Sequence, residues 1–343
     1  MSLSRALLGI FSFLATTAGV SSQTATADSN VDLSPLGTQD LSVYKFGFGI
    51  KVDDNCDYTF TIEFIHPPSF FLGDQNTTCK PGVIAPDGLP YNDGRWYWDE
   101  LPAYIQNATG FNHISLDWNP CGHPGNGFLT PHTDVHMYTV TPQFRVQHMV
   151  CNLLQQTIVC QPNAQAGNTY GEGFFVAALT SNGTFVNMPA GFTTHPFDAV
   201  QHMGMHAWNG AQEPATPEQW IVPILILVTY GKIINAFEPM LPFDWTNGTV
   251  DQFFEEKIAY VDQTQLQLPN YFSVYFNAQT QVTTITTTGK SGICKQEFDA
   301  AQLLYQQEIQ KQAASRSGAS ALPIMTSLTM LFAATILEWI AAV

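Results

Sequence analysis

Positive charge is scarce in this chain. Lys and Arg together number 12 in 343 residues against 28 Asp and Glu, giving a net charge of -16. That balance excludes nucleic acid as a natural partner, because phosphate binding needs clustered cations. The six cysteines include no Cys-x-x-Cys pair, which argues against a zinc site built from thiolates. There is no Gly-x-Ser-x-Gly elbow and no phosphate-binding glycine loop, and Gly47-Phe48-Gly49 lacks the third glycine of a dinucleotide fingerprint. Serine hydrolase and nucleotide chemistry of those kinds therefore have no anchor here. No internal repeat occurs.

Long apolar stretches are confined largely to the two ends. Arg5 precedes an apolar run over 6–14 and small residues over 15–22, the order of a secretory signal peptide, with cleavage expected near residues 20–25. The run is too short to cross a hydrocarbon core of about 30 Å. At the other end, small and polar residues over 313–320 lead into an apolar stretch from Ala321 to Val343. This is the layout of a glycosylphosphatidylinositol (GPI) anchor signal, assigned to 316–343. Glu338 inside the tail and a short spacer depart from it, and a spanning helix is the alternative. Both readings use the membrane as a partner and place the rest of the chain at the outer face of the plasma membrane.

Four acceptor triplets, at Asn76, Asn107, Asn182 and Asn247, fit N-glycosylation on that route. Cys56, Cys79, Cys121, Cys151, Cys160 and Cys294 are an even set suited to three disulfides in an oxidising compartment. Sequence cannot choose their connectivity. Cys151 with Cys160 is the first expectation, across a hairpin or one short helix.

The body reads as mainly β, an antiparallel sheet or barrel-like body with a C-terminal amphipathic helix. Strand patterns cover 44–52, 58–64, 111–117, 132–141, 174–179, 184–188, 202–208, 220–230, 233–238, 271–276 and 281–288. Gly231-Lys232 suits a two-residue type II′ hairpin, and Pro239 is expected to end the strand that follows it. A helix is expected over 296–312, with Phe298, Ala301, Tyr305 and Ile309 at helical spacing. The organisation is then a signal (1–22), an N-terminal β extension (23–84), a main β domain (85–292), a helical stalk (293–315) and the anchor segment.

The densest polar pattern inside a strand is Pro131-His132-Thr133-Asp134-Val135-His136-Met137-Tyr138. Alternation puts His132, Asp134, His136 and Tyr138 on one face. The helical zinc-protease motif would need Glu where Thr133 stands. Residues two apart in a strand are roughly 6.6 Å apart, so one ion is shared more easily by Asp134 and a neighbouring His than by His132 and His136. His202 and His206 flank Gly204, which suits a bulge or a close backbone approach. Glu238 closes an apolar strand and needs a partner if buried. Together these residues offer His and carboxylate ligands for a divalent metal, zinc first, with manganese or iron as alternatives. The competing reading is a buried hydrogen-bond network without metal, the usual state of isolated histidines such as His66, His113, His148 and His195.

The string Asn119-Pro120-Cys121-Gly122-His123 followed by Pro131 to Tyr138 resembles an Asn-Pro-x-Gly-His and Pro-His-Phe-Asp-x-His-Phe-Tyr pattern. Met205-His206-Ala207-Trp208 resembles a Gly-x-His-Trp element, and Phe237-Glu238-Pro239-Met240 a hairpin ending in Glu-Pro-Met. These motifs resemble an uncharacterised family of mostly bacterial secreted proteins that includes a member under a sigma-E and anti-sigma-E pair. The match covers residues 95–290, with Thr133 and Met137 replacing aromatic residues. The resemblance implies a β-rich fold that assembles into rings as a homo-oligomer, with His123, His132, Asp134, His136, His206 and Glu238 as its polar centre. It names no reaction. The expectation is an extracellular metal-binding protein, a hydrolase or lyase if the ion keeps an open position. The alternative is a structural or adhesive surface protein working through assembly or partner binding.

Overall fold

Period-two burial shapes both sheets. In the computed structural model, which describes residues 31–67, 70–122, 128–149, 152–154, 157–159, 189–212, 220–230, 233–259 and 267–316, β2 (Asp57–Phe64) turns Tyr58, Phe60, Ile62 and Phe64 inward and leaves Thr59, Thr61 and Glu63 outside. It pairs with β14 (Val282–Lys290), whose Thr283, Ile285 and Thr287 point the same way. With β1 (Gly47–Val52), β12 (Gln252–Lys257) and β13 (Tyr271–Asn277) they make a five-stranded antiparallel sheet, ordered β1-β2-β14-β13-β12.

A seven-stranded sheet packs over it. It contains β3 (Arg95–Glu100), β4 (His113–Asn119), β5 (His132–Tyr138), β8 (Phe192–Val200), β9 (Gly204–Asn209), β10 (Ile224–Tyr230) and β11 (Ile233–Pro242), in the order β3-β4-β5-β11-β10-β9-β8. Between the sheets lies the main core, with Phe60, Ile62, Phe272 and Val274 from one and Ile114, Leu116, Val135, Met137, Leu225 and Phe237 from the other. Each such fully buried side chain contributes about 1.5–3 kcal/mol. The arrangement is a two-sheet sandwich, and neither sheet closes into a barrel. A separate small hairpin joins β6 (Asn152–Leu154) to β7 (Thr157–Val159).

The helices are peripheral: α1 (Ala103–Thr109), α2 (Pro142–His148), the single turn α3 (Phe243–Thr246) and the C-terminal α4 (Lys295–Arg316). In α4 only Phe298 is buried, packing with Tyr305 against Tyr104 of α1, while Leu303, Leu304 and Ile309 stay exposed. The helix therefore lacks the continuous buried stripe expected of an amphipathic one. Two disulfides, Cys56–Cys294 and Cys79–Cys121, fit an oxidising compartment. Cys151 and Cys160, the strand patterns at 174–179 and 184–188, the Gly231-Lys232 turn, Asn182, residues 1–30 and residues 317–343 lie outside the described residues. Among the described residues no helix is long and apolar enough to cross a membrane.

His66, just after β2, is enclosed by the rings of Tyr44, Phe64, Phe70, Trp118 and Phe243. Its Nδ1 lies 3.4 Å from Thr133 Oγ1 and its Nε2 has no hydrogen-bond partner. Burial lowers its pKa from the ordinary value near 6.5 to about 4. The neutral form is thus the native one, and its stability is intact above pH 6.5 and lost as pH falls towards 4. The loss amounts to about 3 kcal/mol. His66→Phe should abolish that share: denaturant unfolding at pH 7 and pH 4.5 will show a smaller drop for the variant than for the wild type. Equal drops would refute it.

Candidate metal centre

The face of the seven-stranded sheet turned away from the main core is buried too. Every residue of β4 and β5 is buried, which is unusual for an antiparallel strand carrying polar side chains at alternate positions. His113, Ser115, Asp117 and Asn119 on β4 lie directly across from Tyr138, His136, Asp134 and His132 on β5. The other half of this face is apolar, with Trp208, Trp220, Ile224, Ile226, Val228 and Met240 in one cluster.

At the junction of the two halves, three strands each supply one group. His136 comes from β5, Glu238 from β11 and His206 from β9. Their ligand atoms all lie within 4.8 Å of one another. Glu238 Oε2 is 3.3 Å from His136 Nε2 and 3.1 Å from His206 Nε2. His206 reaches Glu238 across β10, since β9 and β11 flank that strand. Cross-strand neighbours sit about 4.5–5.5 Å apart, closer than residues two apart along one strand. Adjacency brings Glu238 to His136, and the His206 side chain reaches the same carboxylate from two strands away.

Local backbone features set these positions. β11 continues through Pro239 to Pro242 instead of ending at the proline, and Pro239 pairs with Leu225 of β10. On its β5 side the register gives partners for Ala236, Phe237 and Met240 but none for Glu238 and Pro239. A proline has no N–H to donate, so the ladder lapses there. A bulge at Asn235 shifts the β10 register between Val228 and Thr229. Asn235 Nδ2 donates to Met203 O beside Gly204. Gly204 has φ +127, and a Cβ there would sit 2.6 Å from the carbonyl oxygen of Thr229. It is a point of close backbone approach that draws β9 against β10 two residues before His206.

The spacing bears on what these groups can hold. A charge-assisted N–H···O bond is about 2.7–2.9 Å long. Both contacts to Glu238 are longer. Ligands held about 2.0–2.1 Å from a tetrahedral ion are roughly 3.3 Å apart, close to the observed separations. Moreover, Glu238 Oε2 and His136 Nε2 are buried without a hydrogen bond of acceptable geometry, whereas buried polar atoms are normally satisfied. The buried His136, His206 and Glu238 group could hold a metal ion.

Behind it, His136 Nδ1 lies 3.0 Å from Asp117 Oδ2, and Ser115 Oγ donates to Asp117 Oδ1 at 2.5 Å. A carboxylate in that place fixes the ring and leaves Nε2 for an ion. Burial alone would push the His136 pKa down, but the Glu238 and Asp117 carboxylates hold it well above the ordinary range. Burial would raise the pKa of Glu238, yet the His136 and His206 imidazoles hold it well below the usual carboxylate range.

No family model, curated protein or solved structure matches this chain. Its chemistry is therefore read from the site itself.

The remaining expected residues divide. Asp134 is not one of the converging three. Its Oδ1 is 3.2 Å from His132 Nε2 and its Oδ2 accepts from Asn119 Nδ2 at 2.7 Å. Asp134 and His132, two apart on β5, thus lie side by side next to the converging three. His132 Nδ1 lies 2.7 Å from Thr130 O, and its ring packs edge-on to Trp220. His123 lies outside the described residues. Asp117, Ser115 and Arg145 escaped the sequence reading. The alternation His113-x-Ser115-x-Asp117-x-Asn119 was the available signal, the same polar rhythm as on β5.

Proposed function

We propose that this chain is an extracellular, membrane-tethered metal-binding protein. His136, His206 and Glu238 are the protein ligands in this reading, and Asp117 orients His136. The observation that carries it is the convergence of two imidazole nitrogens and one carboxylate oxygen at ion-ligand spacing, with His136 Nε2 and Glu238 Oε2 otherwise unsatisfied. Two nitrogens and one oxygen favour zinc, with manganese or iron as alternatives. Three protein ligands leave one position of a tetrahedron. Bound zinc would supply Lewis acidity and an activated water there, the chemistry of a hydrolase or lyase. The chain's own part is to hold His136 in one tautomer through Asp117 and to enclose the site in apolar side chains.

Elemental analysis of the purified protein tests this reading. About one equivalent of a transition metal in the wild type, lost in His136→Ala, is the expected result, and a metal-free wild type would sink it. A second reading, a non-enzymatic surface protein in which the ion only staples β5, β9 and β11, is favoured by burial: His136 is 0% and Glu238 1% exposed. Cobalt substitution separates the two. A visible spectrum that shifts with added azide marks an open position, and an unresponsive one marks a structural ion.

The tether and the secretory route belong to the same proposal. A signal over 1–22, an anchor segment over 316–343 and disulfides support it, as do exposed acceptor asparagines at 76, 107 and 247. Self-assembly into a homo-oligomer, implied by the family resemblance, completes the reading. Phosphatidylinositol-specific phospholipase C should release the protein from expressing cells. Retention on the membrane would favour a spanning tail instead.

A further inference from the structure

Arg145 of α2 is a buried cation in a chain that has few, and it is 3% exposed. Its Nε donates to His202 O at 2.8 Å and its Nη1 to His113 Nε2 at 2.9 Å. Two donations of this kind need no charge. Among the described residues no carboxylate lies within ion-pair distance of it, and Asp117 acts on it from further away. Burying a charge without a direct partner is costly, so hydrogen bonding alone does not account for an arginine here.

The charge faces the metal centre through an aromatic stack. Its guanidinium carbon lies 3.7 Å over the ring of Tyr138. That ring is nearly parallel to His136, with centroids 5.2 Å apart and 9° between the planes, and to His113, at 4.7 Å and 13°. All three rings are 0% exposed. The guanidinium is thus within about 9 Å of the His136 ring, and within roughly 12 Å of an ion held at its Nε2. Because the path between them is buried, salt screens the interaction weakly. At an effective dielectric constant of about 20, a unit charge at roughly 12 Å changes the binding of each unit of ionic charge by about tenfold. The sign is repulsive: Glu238 and Asp117 attract a cation to this place, and Arg145 offsets part of that attraction.

We propose that Arg145 sets the charge preference of the metal centre, lowering its affinity for every cation and lowering it more for a trivalent ion than for a divalent one. The proposal rests on the reading of His136, His206 and Glu238 as ligands. Zinc, manganese and ferrous iron are then favoured over ferric iron, and the bound ion stays exchangeable.

The test titrates zinc calorimetrically into the metal-free purified protein, in competition with a chelator and at fixed pH. Arg145→Met should bind zinc at least tenfold more tightly than the wild type, and high salt should leave the gain in place. A residue that merely held α2 would show the opposite sign, weaker binding on its removal. Arg145→Lys keeps the charge and should return the affinity towards that of the wild type. In the iron-loaded protein, Arg145→Met should shift the preference towards Fe(III) by about tenfold, a fall of about 59 mV in the one-electron midpoint. Gln201→Glu adds a carboxylate to the cleft that Arg145 lines; it should tighten zinc binding in the same sense and covers the case in which the arginine variants fail to fold. A folded Arg145→Met that binds zinc no more tightly than the wild type overturns this proposal alone. So does an iron midpoint that does not fall or, where the arginine variants do not fold, a Gln201→Glu without gain. A wild type that takes up no metal sinks the ligand assignment and this proposal with it.

Discussion

Glu238→Gln should strip the metal from the protein, taking the content of the purified chain from about one equivalent to background and the affinity down by more than about 100-fold. Glu238 is the only carboxylate of the three converging groups, and its Oε2 faces both imidazoles. The amide keeps the shape and removes the charge that an ion needs. Altering a group that orients a ligand costs about 10–100-fold in affinity, so losing a ligand should cost more; Asp117→Asn, which disturbs only the partner of His136 Nδ1, should fall in that smaller range. Glu238→Ala adds a penalty of stability. It leaves His136, buried and held towards its protonated form, with Asp117 as its remaining carboxylate partner, so the cost stays below the roughly 3–5 kcal/mol of a buried pair broken outright. Calorimetric titration of zinc into the apoprotein checks the affinity order. Metal binding must displace the proton of His136, so affinity should also rise with pH. Wild-type affinity in Glu238→Gln would end the assignment of Glu238 as a ligand.

Removing the Cys56–Cys294 disulfide by the double change Cys56→Ser and Cys294→Ser should cost about 4–5 kcal/mol. The bond closes a sequence separation of 238 residues, and the entropy it removes from the unfolded chain grows with the logarithm of that length. Cys56 lies in the turn between β1 and β2, and Ser291 N donates to its carbonyl. Cys294 stands one residue before α4. The bond therefore holds the five-stranded sheet to a helix whose residues after Phe298 are mainly exposed. Urea denaturation should show the loss, and limited proteolysis should cut first within α4, while the metal content stays unchanged because His136, His206 and Glu238 sit on the other sheet. A loss under about 1 kcal/mol would show that the unfolded chain is already restrained without the bond.

What could be read from the sequence was whatever repeats at short range. Strand-like patterns announced β2, β5, β10, β11, β13 and β14 to within a few residues, by β-rich or alternating side chains in most and by a continuous apolar run in β10. The shared face of His132, Asp134, His136 and Tyr138 was legible for the same reason. Elements without such contrast were missed. β3 reads Arg-Trp-Tyr-Trp-Asp-Glu with no clean alternation, α1 and α2 have seven residues each, and β12 is a largely polar edge strand.

The sequence by itself determined that the body is β-rich and that histidines and acids recur on the faces of its strands. It also determined that the chain has little positive charge to spend on polyanions. Only the tertiary structure decided which of those side chains meet. Strand order is a long-range property, fixed by how two sheets share a core, and it places β9, β10, β11 and β5 side by side. Residues 136 and 238 meet because their strands are adjacent, about 4.8 Å apart, and His206 joins them by reaching across β10. Asp134, two residues from His136, instead meets His132 of its own strand and Asn119 of β4.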